Sequence, residues 1–210
     1  MLKVGLTGGI ASGKSAVGEM FVAHGAHLIQ ADRIAHELMQ SGRSVYDEVV
    51  SHFGREILQP DGSINRAKLA QAAFSAAPGS ASRIEELNRI VHPAVVRRQD
   101  EWMEEIAQQY PQGVAIVEAA LILEAGAADH FDRLIVVTCN EDQRAERFAA
   151  RQNLPVEEAG KEVARRMAAQ LPDAEKIKAA HYVIDNSGPL EKTREQVGEV
   201  WRDLGVQEKR

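Results

Sequence analysis

The 210-residue sequence has one cysteine, no apolar run long enough to span a membrane, and no excess of positive charge. Each shortage excludes something. A lone thiol, Cys139, cannot close an internal disulfide, so the chain suits a reducing compartment and a cytoplasmic location is expected. Cys139 follows the apolar run Leu134-Ile135-Val136-Val137, where a small half-buried residue is ordinary, and no second cysteine accompanies it, so it is assigned no role. Glycines and Lys14 interrupt the stretch from Val4 to Val17, so no secretory signal is expected there, and no longer apolar segment suggests a membrane anchor. With 31 Asp and Glu against 25 Lys and Arg, the formal net charge of −6 argues against nucleic acid as a main partner. Repeats and low-complexity tracts are absent too.

What the chain does contain is an alternation of short apolar runs with helix-length segments. Val4-Gly5-Leu6-Thr7, His27 to Gln30, Val114 to Val117, Leu134 to Thr138 and Tyr182-Val183-Ile184 read as buried parallel strands. Their spacing predicts an α/β fold, a doubly wound parallel sheet of five strands with helices on both faces, in which ligands bind beyond the carboxyl ends of the strands. One interval breaks the pattern. From Ile34 to Tyr110 no strand is expected, only helical stretches punctuated by Gln59-Pro60-Asp61-Gly62 and Ala77-Pro78-Gly79-Ser80. Such a helical insertion serves either as extra packing or as a substrate-binding subdomain.

Between the first expected strand and helix stands Gly8-Gly9-Ile10-Ala11-Ser12-Gly13-Lys14-Ser15, which fits G-x-x-x-x-G-K-[ST]. Glycines let the loop curl so that successive N–H groups point inward at a polyphosphate, and the following helix adds its N-terminal partial positive charge. Gly8, Gly9, Ala11, Ser12, Gly13, Lys14, Ser15 and Ala16 are therefore expected to bind a nucleoside triphosphate, ATP if the chain is a kinase. Lys14 reaches the β- and γ-phosphates, and the Ser15 hydroxyl is the expected ligand of Mg²⁺.

A phosphate loop alone does not separate kinase, GTPase and ATPase. A regulatory GTPase requires an N-K-x-D signature after a late strand, and neither Asn140-Glu141-Asp142 nor Asp185-Asn186-Ser187 supplies one. Asp32 follows the second strand by two residues, where a carboxylate accepts a proton from an acceptor hydroxyl or orients Mg²⁺; an aspartate there also suits an N-cap for a helix beginning near Arg33. Glu118 ends the third strand, a usual place for an acidic group that serves a metal, directly or through water. In Gln143-Arg144-Ala145-Glu146-Arg147-Phe148-Ala149-Ala150-Arg151, Arg147 and Arg151 share one face of a helix and fit a lid that closes over the triphosphate; with Glu141, Asp142 and Glu146 interspersed, the same segment also fits a solvated face. Arg166 and Gln170, again four apart, end a second lid helix before Pro172.

At this point the chain resembles the dephospho-coenzyme A kinase family nearly end to end. The likeness rests on an ordered set: Val4 to Ser15, Ala31-Asp32, Phe53-Gly54, Asp61-Gly62-Ser63-Ile64-Asn65-Arg66 with Leu69, His92-Pro93, Leu121-Ile122-Leu123-Glu124, Phe131-Asp132, Arg147 with Arg151, Arg166 with Gln170, and Val183-Ile184-Asp185-Asn186. The resemblance implies a fold of P-loop kinase type and transfer of the γ-phosphoryl of ATP to the 3′-hydroxyl of the ribose of dephospho-coenzyme A, with Mg²⁺. It also implies Asp32, Lys14 and Arg147 as catalytic residues, Arg147 and Arg151 on ATP, and Asp32, His92, Leu121 and Glu124 on the acceptor. Residues 1–33, 111–140 and 180–210 then form the nucleotide-binding core, 34–110 the acceptor subdomain and 141–179 the lid, in a monomer or weak homo-oligomer without nucleic-acid or membrane partners. Another small-metabolite or nucleoside monophosphate kinase shares fold, loop and lid, and differs in the insertion; a non-enzymatic ATP-binding module shares the loop alone. Six positions depart from the family pattern: Gln30 stands for an aspartate, Ala16 for a threonine, Ala120, Ile122 and Leu123 for a proline, a leucine and a phenylalanine, and His181 for an aspartate near the expected adenine end. His92, preceding a proline, also fits a packing residue at a helix start.

Overall fold

Period-two alternation in LKVGLT sets Val4 and Leu6 on one face of a strand and Gly5 on the other. Val4 and Leu6 are wholly buried. On the opposite face a Cβ at Gly5 would lie 2.9 Å from the Phe131 ring and 3.0 Å from Leu134, so glycine there makes room for side chains from a neighbouring loop and strand. In the computed structural model, which describes residues 1–74 and 83–205, this strand is the centre of a five-stranded sheet. The strands are β1 (Leu2–Thr7), β2 (His27–Gln30), β3 (Val114–Glu118), β4 (Arg133–Thr138) and β5 (Tyr182–Asp185). Their spatial order is β2-β3-β1-β4-β5 and every neighbouring pair is parallel. The expected strands are all present. Several run one or two residues further than their apolar cores, because backbone pairing such as Leu2 with Val114 continues whatever the side chain.

The helices are α1 (Lys14–His24), α2 (Ala31–Leu38), α3 (Ser44–Phe53), α4 (Arg66–Phe74), α5 (Ile84–Gln109), α6 (Glu141–Gln152), α7 (Val156–Ala168), α8 (Asp173–Ala179) and α9 (Leu190–Asp203). Two compact units result, Met1–Gln30 with Met103–Arg210, and Ala31–Trp102. In the first, Val17 and Phe21 of α1 and Val197, Val200 and Trp201 of α9 pack against Val4, Leu6, Ile116, Ile135, Val137 and Ile184 of the sheet. Burying a side chain of this size contributes roughly 1.5–3 kcal/mol, so this layer dominates the unit's stability. A satellite cluster of Ile10, Phe148, Ala149, Ala159 and Val163 holds the α6–α7 hairpin and the phosphate loop together.

The second unit is helical. Val45, Val49 and Phe53 of α3 pack with Ile57 and with Leu69 and Ala73 of α4. At Gln59-Pro60-Asp61-Gly62 the chain reverses: the Asp61 carboxylate accepts from the Ser63 N–H at 2.9 Å, and one antiparallel bridge joins Leu58 to Ile64. The turn expected at Ala77-Pro78-Gly79-Ser80 lies outside the described residues. Pro93 sits inside the 26-residue α5, so His92-Pro93 is not a helix start; proline there removes one helical N–H donor in mid-helix. Among the described residues no helix is long and apolar enough to cross a membrane.

Candidate active site

The loop between β1 and α1 is shaped by close approaches. Gly13, the N-cap of α1, has φ 93°, and a Cβ on it would lie 2.1 Å from the Asn186 carboxamide nitrogen. Gly8 has φ 152°, with the Val137 carbonyl 2.2 Å from where its Cβ would be. Side chains at either position would push the loop off the sheet. Ala11 also adopts the left-handed region, at φ 55°. Lys14 opens α1, and its ammonium donates to the carbonyls of Gly8 at 3.0 Å and Gly9 at 3.2 Å, which brings the cation across the loop. A cleft of about 190 Å³ follows, lined by Ala11, Gly13, Lys14, Ser15, Ala16, Arg147 and Arg151. Five of its seven lining residues belong to the loop and the first turn of α1, where helix geometry leaves N–H groups without intrahelical acceptors.

At the carboxyl edge of the sheet the register sets Gln30 of β2 beside Glu118 of β3, and Leu6 of β1 on the other side of Glu118. Glu118 is buried, and its two oxygens are both engaged: the Ser15 hydroxyl donates to Oε1 at 2.7 Å and the Gln30 amide to Oε2 at 2.8 Å. This accounts for Gln30. An aspartate in its place would set two carboxylates directly across neighbouring strands, whereas the amide donates to the one that is there. Ser15 and Glu118 are hard oxygen donors in contact, a set that suits Mg²⁺, which takes few protein ligands and completes its shell with phosphate and water. Groups of three or more His, Cys, Asp or Glu able to hold a metal are absent among the described residues.

Arg147 and Arg151 do share the face of α6 that lines this cleft. Arg147 is half-buried and donates to the carbonyls of Ser12 at 3.3 Å and Asn186 at 2.9 Å, while Arg151 is exposed and lies over the Phe148 ring. Asn186, for which the sequence had suggested no role, is the hub of this corner. Its Nδ2 donates to Ser12 O at 2.9 Å and its Oδ1 accepts from Thr193 at 3.0 Å, joining the end of β5, the phosphate loop and α9. The family resemblance had drawn attention to Asn186, but an asparagine after a strand carries no signal of a partner 174 residues away. On α7, Arg166 bonds Glu162 and lies over the same Phe148 ring. The Arg165 and Arg166 guanidiniums hold the Glu162 carboxyl down to about 2. Gln170 lies two residues beyond α7, so the expected helical spacing with Arg166 is not realised; Pro172 instead precedes α8. Burial pushes the Cys139 thiol up, away from nucleophilic form.

Asp32 is the second residue of α2 and exposed. Because α2 begins two residues earlier, at Ala31, Asp32 is a first-turn residue rather than the N-cap of a helix starting at Arg33. His92 is exposed on α5. Leu121, in the turn after β3, is 45% exposed. Glu124 pairs with the fully buried Lys176 ammonium at 2.8 Å and accepts from the Leu171 N–H at 3.0 Å, tying α8 to the turn after β3. His181 is displaced from its expected place. It directly precedes β5, exchanging bonds with the Leu134 backbone near the start of β4, and so stands at the amino edge of the sheet, opposite the edge that carries the phosphate loop.

Comparison with known proteins narrows the chemistry. The family model for dephospho-CoA kinase matches residues 2–192. A dephospho-CoA kinase from Thermobifida fusca is 38% identical over 204 residues, covering 97% of this chain and 96% of that one. Among solved structures, TT1252 from Thermus thermophilus aligns with a TM-score of 0.75 at 29% identity over 97% of both chains. A shikimate kinase from Bacteroides thetaiotaomicron aligns with a TM-score of 0.51 at 14% identity over 98% of this chain and 99% of that one, which is a likeness of fold. The phosphate loop on a five-stranded parallel sheet and a family match over nine-tenths of the length agree: this chain belongs to the dephospho-CoA kinase family.

Proposed function

We propose that this protein transfers the γ-phosphoryl group of ATP to the 3′-hydroxyl on the ribose of dephospho-coenzyme A, giving coenzyme A and ADP, the last step of coenzyme A synthesis. The observation that carries the reading is the cleft over Gly8–Ser15, where loop backbone, a lysine and two arginines converge beside the Ser15–Glu118 pair. The loop and Lys14 hold the triphosphate, and Arg147 and Arg151 close on it from α6. Ser15 would hold Mg²⁺ with Glu118 acting through water, and the ion would neutralise charge on the β- and γ-phosphates. Asp32 takes the proton from the acceptor hydroxyl, whose oxygen bonds the γ-phosphorus while the bridging bond to ADP breaks. His92 and Leu121 are assigned to the acceptor side, with Glu124 shaping its wall through Lys176.

Incubating the protein with Mg-ATP and dephospho-coenzyme A is expected to give coenzyme A and ADP in equal amounts, read by mass. Shikimate and nucleoside monophosphates in place of dephospho-coenzyme A should give no product; turnover of either at comparable kcat/KM would replace this reading with that of another small-molecule kinase. The assignment of Asp32 rests on its position two residues past β2, at the start of α2. Asp32→Asn is expected to keep ATP affinity and to lose at least ~100-fold in kcat, as removal of a general base requires. Near-normal turnover in that variant would remove the role.

A further inference from the structure

Arg144, on α6, is the largest wholly buried side chain among the described residues. A buried guanidinium is costly unless its donors are met, and here they are met from three directions. Nε donates to Cys139 O at 3.1 Å, Nη1 to Ile10 O at 3.0 Å, and Nη2 to the Asp173 carboxylate. Ile10 belongs to the phosphate loop, 134 residues away, and Asp173 opens α8. The same pair occupies the space beside Gly9, where an added Cβ would lie 2.2 Å from Nη1, 3.2 Å from Cζ and 3.3 Å from Asp173 Oδ1. Gly9, unlike Gly8 and Gly13, has no left-handed backbone angle. Its backbone would accept alanine; what excludes a side chain is the ion pair.

We infer that Arg144, with Asp173 as its counter-ion, is a positioning residue for ATP binding that sets the phosphate loop from behind. The inference rests on the reading of that loop as the triphosphate site. A trans peptide is planar, with its C=O and N–H on opposite sides, so drawing the Ile10 carbonyl onto Nη1 turns the Ala11 N–H the other way. Ala11 lines the cleft and holds φ at 55°, a conformation an alanine adopts only when its surroundings impose it. The bond to Ile10 O and the wall against Gly9 supply that constraint. Arg144 touches no substrate; it fixes which face of one peptide meets the phosphates, and through Asp173 it makes that setting depend on the seat of α8, which Lys176 and Glu124 anchor separately.

Gly9→Ala and Arg144→Gln test this as a pair, with ATP affinity measured calorimetrically without acceptor and with kcat/KM for ATP. Each single change is expected to weaken ATP binding by ~10-fold, and the double variant to be no weaker than the poorer single one, since both disturb one contact. Asp173→Asn, which keeps an acceptor oxygen but not the charge, should fall between wild type and Arg144→Gln, and it carries the test if Arg144→Gln does not fold. Multiplication of the Gly9 and Arg144 effects, or a lowered melting temperature with unchanged ATP affinity across the folded variants, would overturn the inference. Lys14→Ala run alongside separates the two readings. If it abolishes ATP use while the Gly9, Arg144 and Asp173 variants bind normally, the positioning role fails and the site stands; if wild type binds no ATP, both fail.

Discussion

Lys14→Ala is expected to lower kcat by ~10³-fold or more at saturating Mg-ATP while leaving the fold intact. Removing one preorganised full charge from a phosphoryl-transfer site costs on the order of 10³ or more in rate, and Lys14 carries such a charge where the loop otherwise offers backbone dipoles. The structural loss is small by comparison. In the protein the ammonium bonds two loop carbonyls, Gly8 O and Gly9 O, from a partly exposed position, and those acceptors can turn to water when it is gone. A hydrogen bond from a charged group contributes roughly 1.5–3 kcal/mol where it is shielded and less where water can replace the donor, so the melting temperature should move by several degrees without loss of the fold. Circular dichroism and a melting curve beside the rate measurement check both halves. Unchanged turnover at saturating ATP would take Lys14 out of the mechanism.

Arg147→Ala should cost ~10³-fold in kcat, the lower end of what an arginine stabilising a transferring phosphoryl group contributes, equivalent to about 4 kcal/mol. Its position makes the measurement discriminating, because Arg147 also has structural bonds to Ser12 O and Asn186 O. If those bonds were its whole purpose, the variant would melt earlier and otherwise turn over normally. If the guanidinium meets developing charge, kcat falls far more than stability does. Arg147→Lys adds a second reading. Lysine keeps the charge without the planar fork, and should recover part of the rate but not the paired carbonyl bonds. An effect confined to melting temperature in both variants would leave Arg147 a structural role alone.

The legible part of this protein is the part that is local. Five short apolar runs became five strands: β1, β3 and β4 are largely buried, as parallel strands apolar on both faces are, while β2 and β5 are edge strands that stay half-exposed; the glycine-lysine-serine loop was recognisable because its shape and charge come from adjacent residues. Arg147 and Arg151 were legible as a pair because helical spacing alone puts them on one face. Helix ends were less so. Gln170 fell outside α7, which ends at Ala168 before the periodic pattern does, and His92 fell inside α5, because the helix continues through Pro93 at the loss of one N–H donor. The histidine at 181 was misplaced. It directly precedes β5, and a residue just before a strand of a parallel sheet lies at the amino edge, away from the carboxyl edge where ligands bind, so its place followed from the strand pattern itself.

What the sequence by itself determined was the order of strands and helices, a loop able to cradle phosphate, and, through an ordered set of short matches, the family. The tertiary structure alone decided which groups meet around that loop. Gln30 finds Glu118 across 88 residues, Arg144 finds Ile10 across 134, and Asn186 finds Ser12 across 174. Each of those side chains has donors that any carbonyl or carboxylate would satisfy, so nothing in its neighbourhood along the chain names the acceptor. Strand register and burial leave each with one partner within reach, and that selection exists only once the sheet has closed.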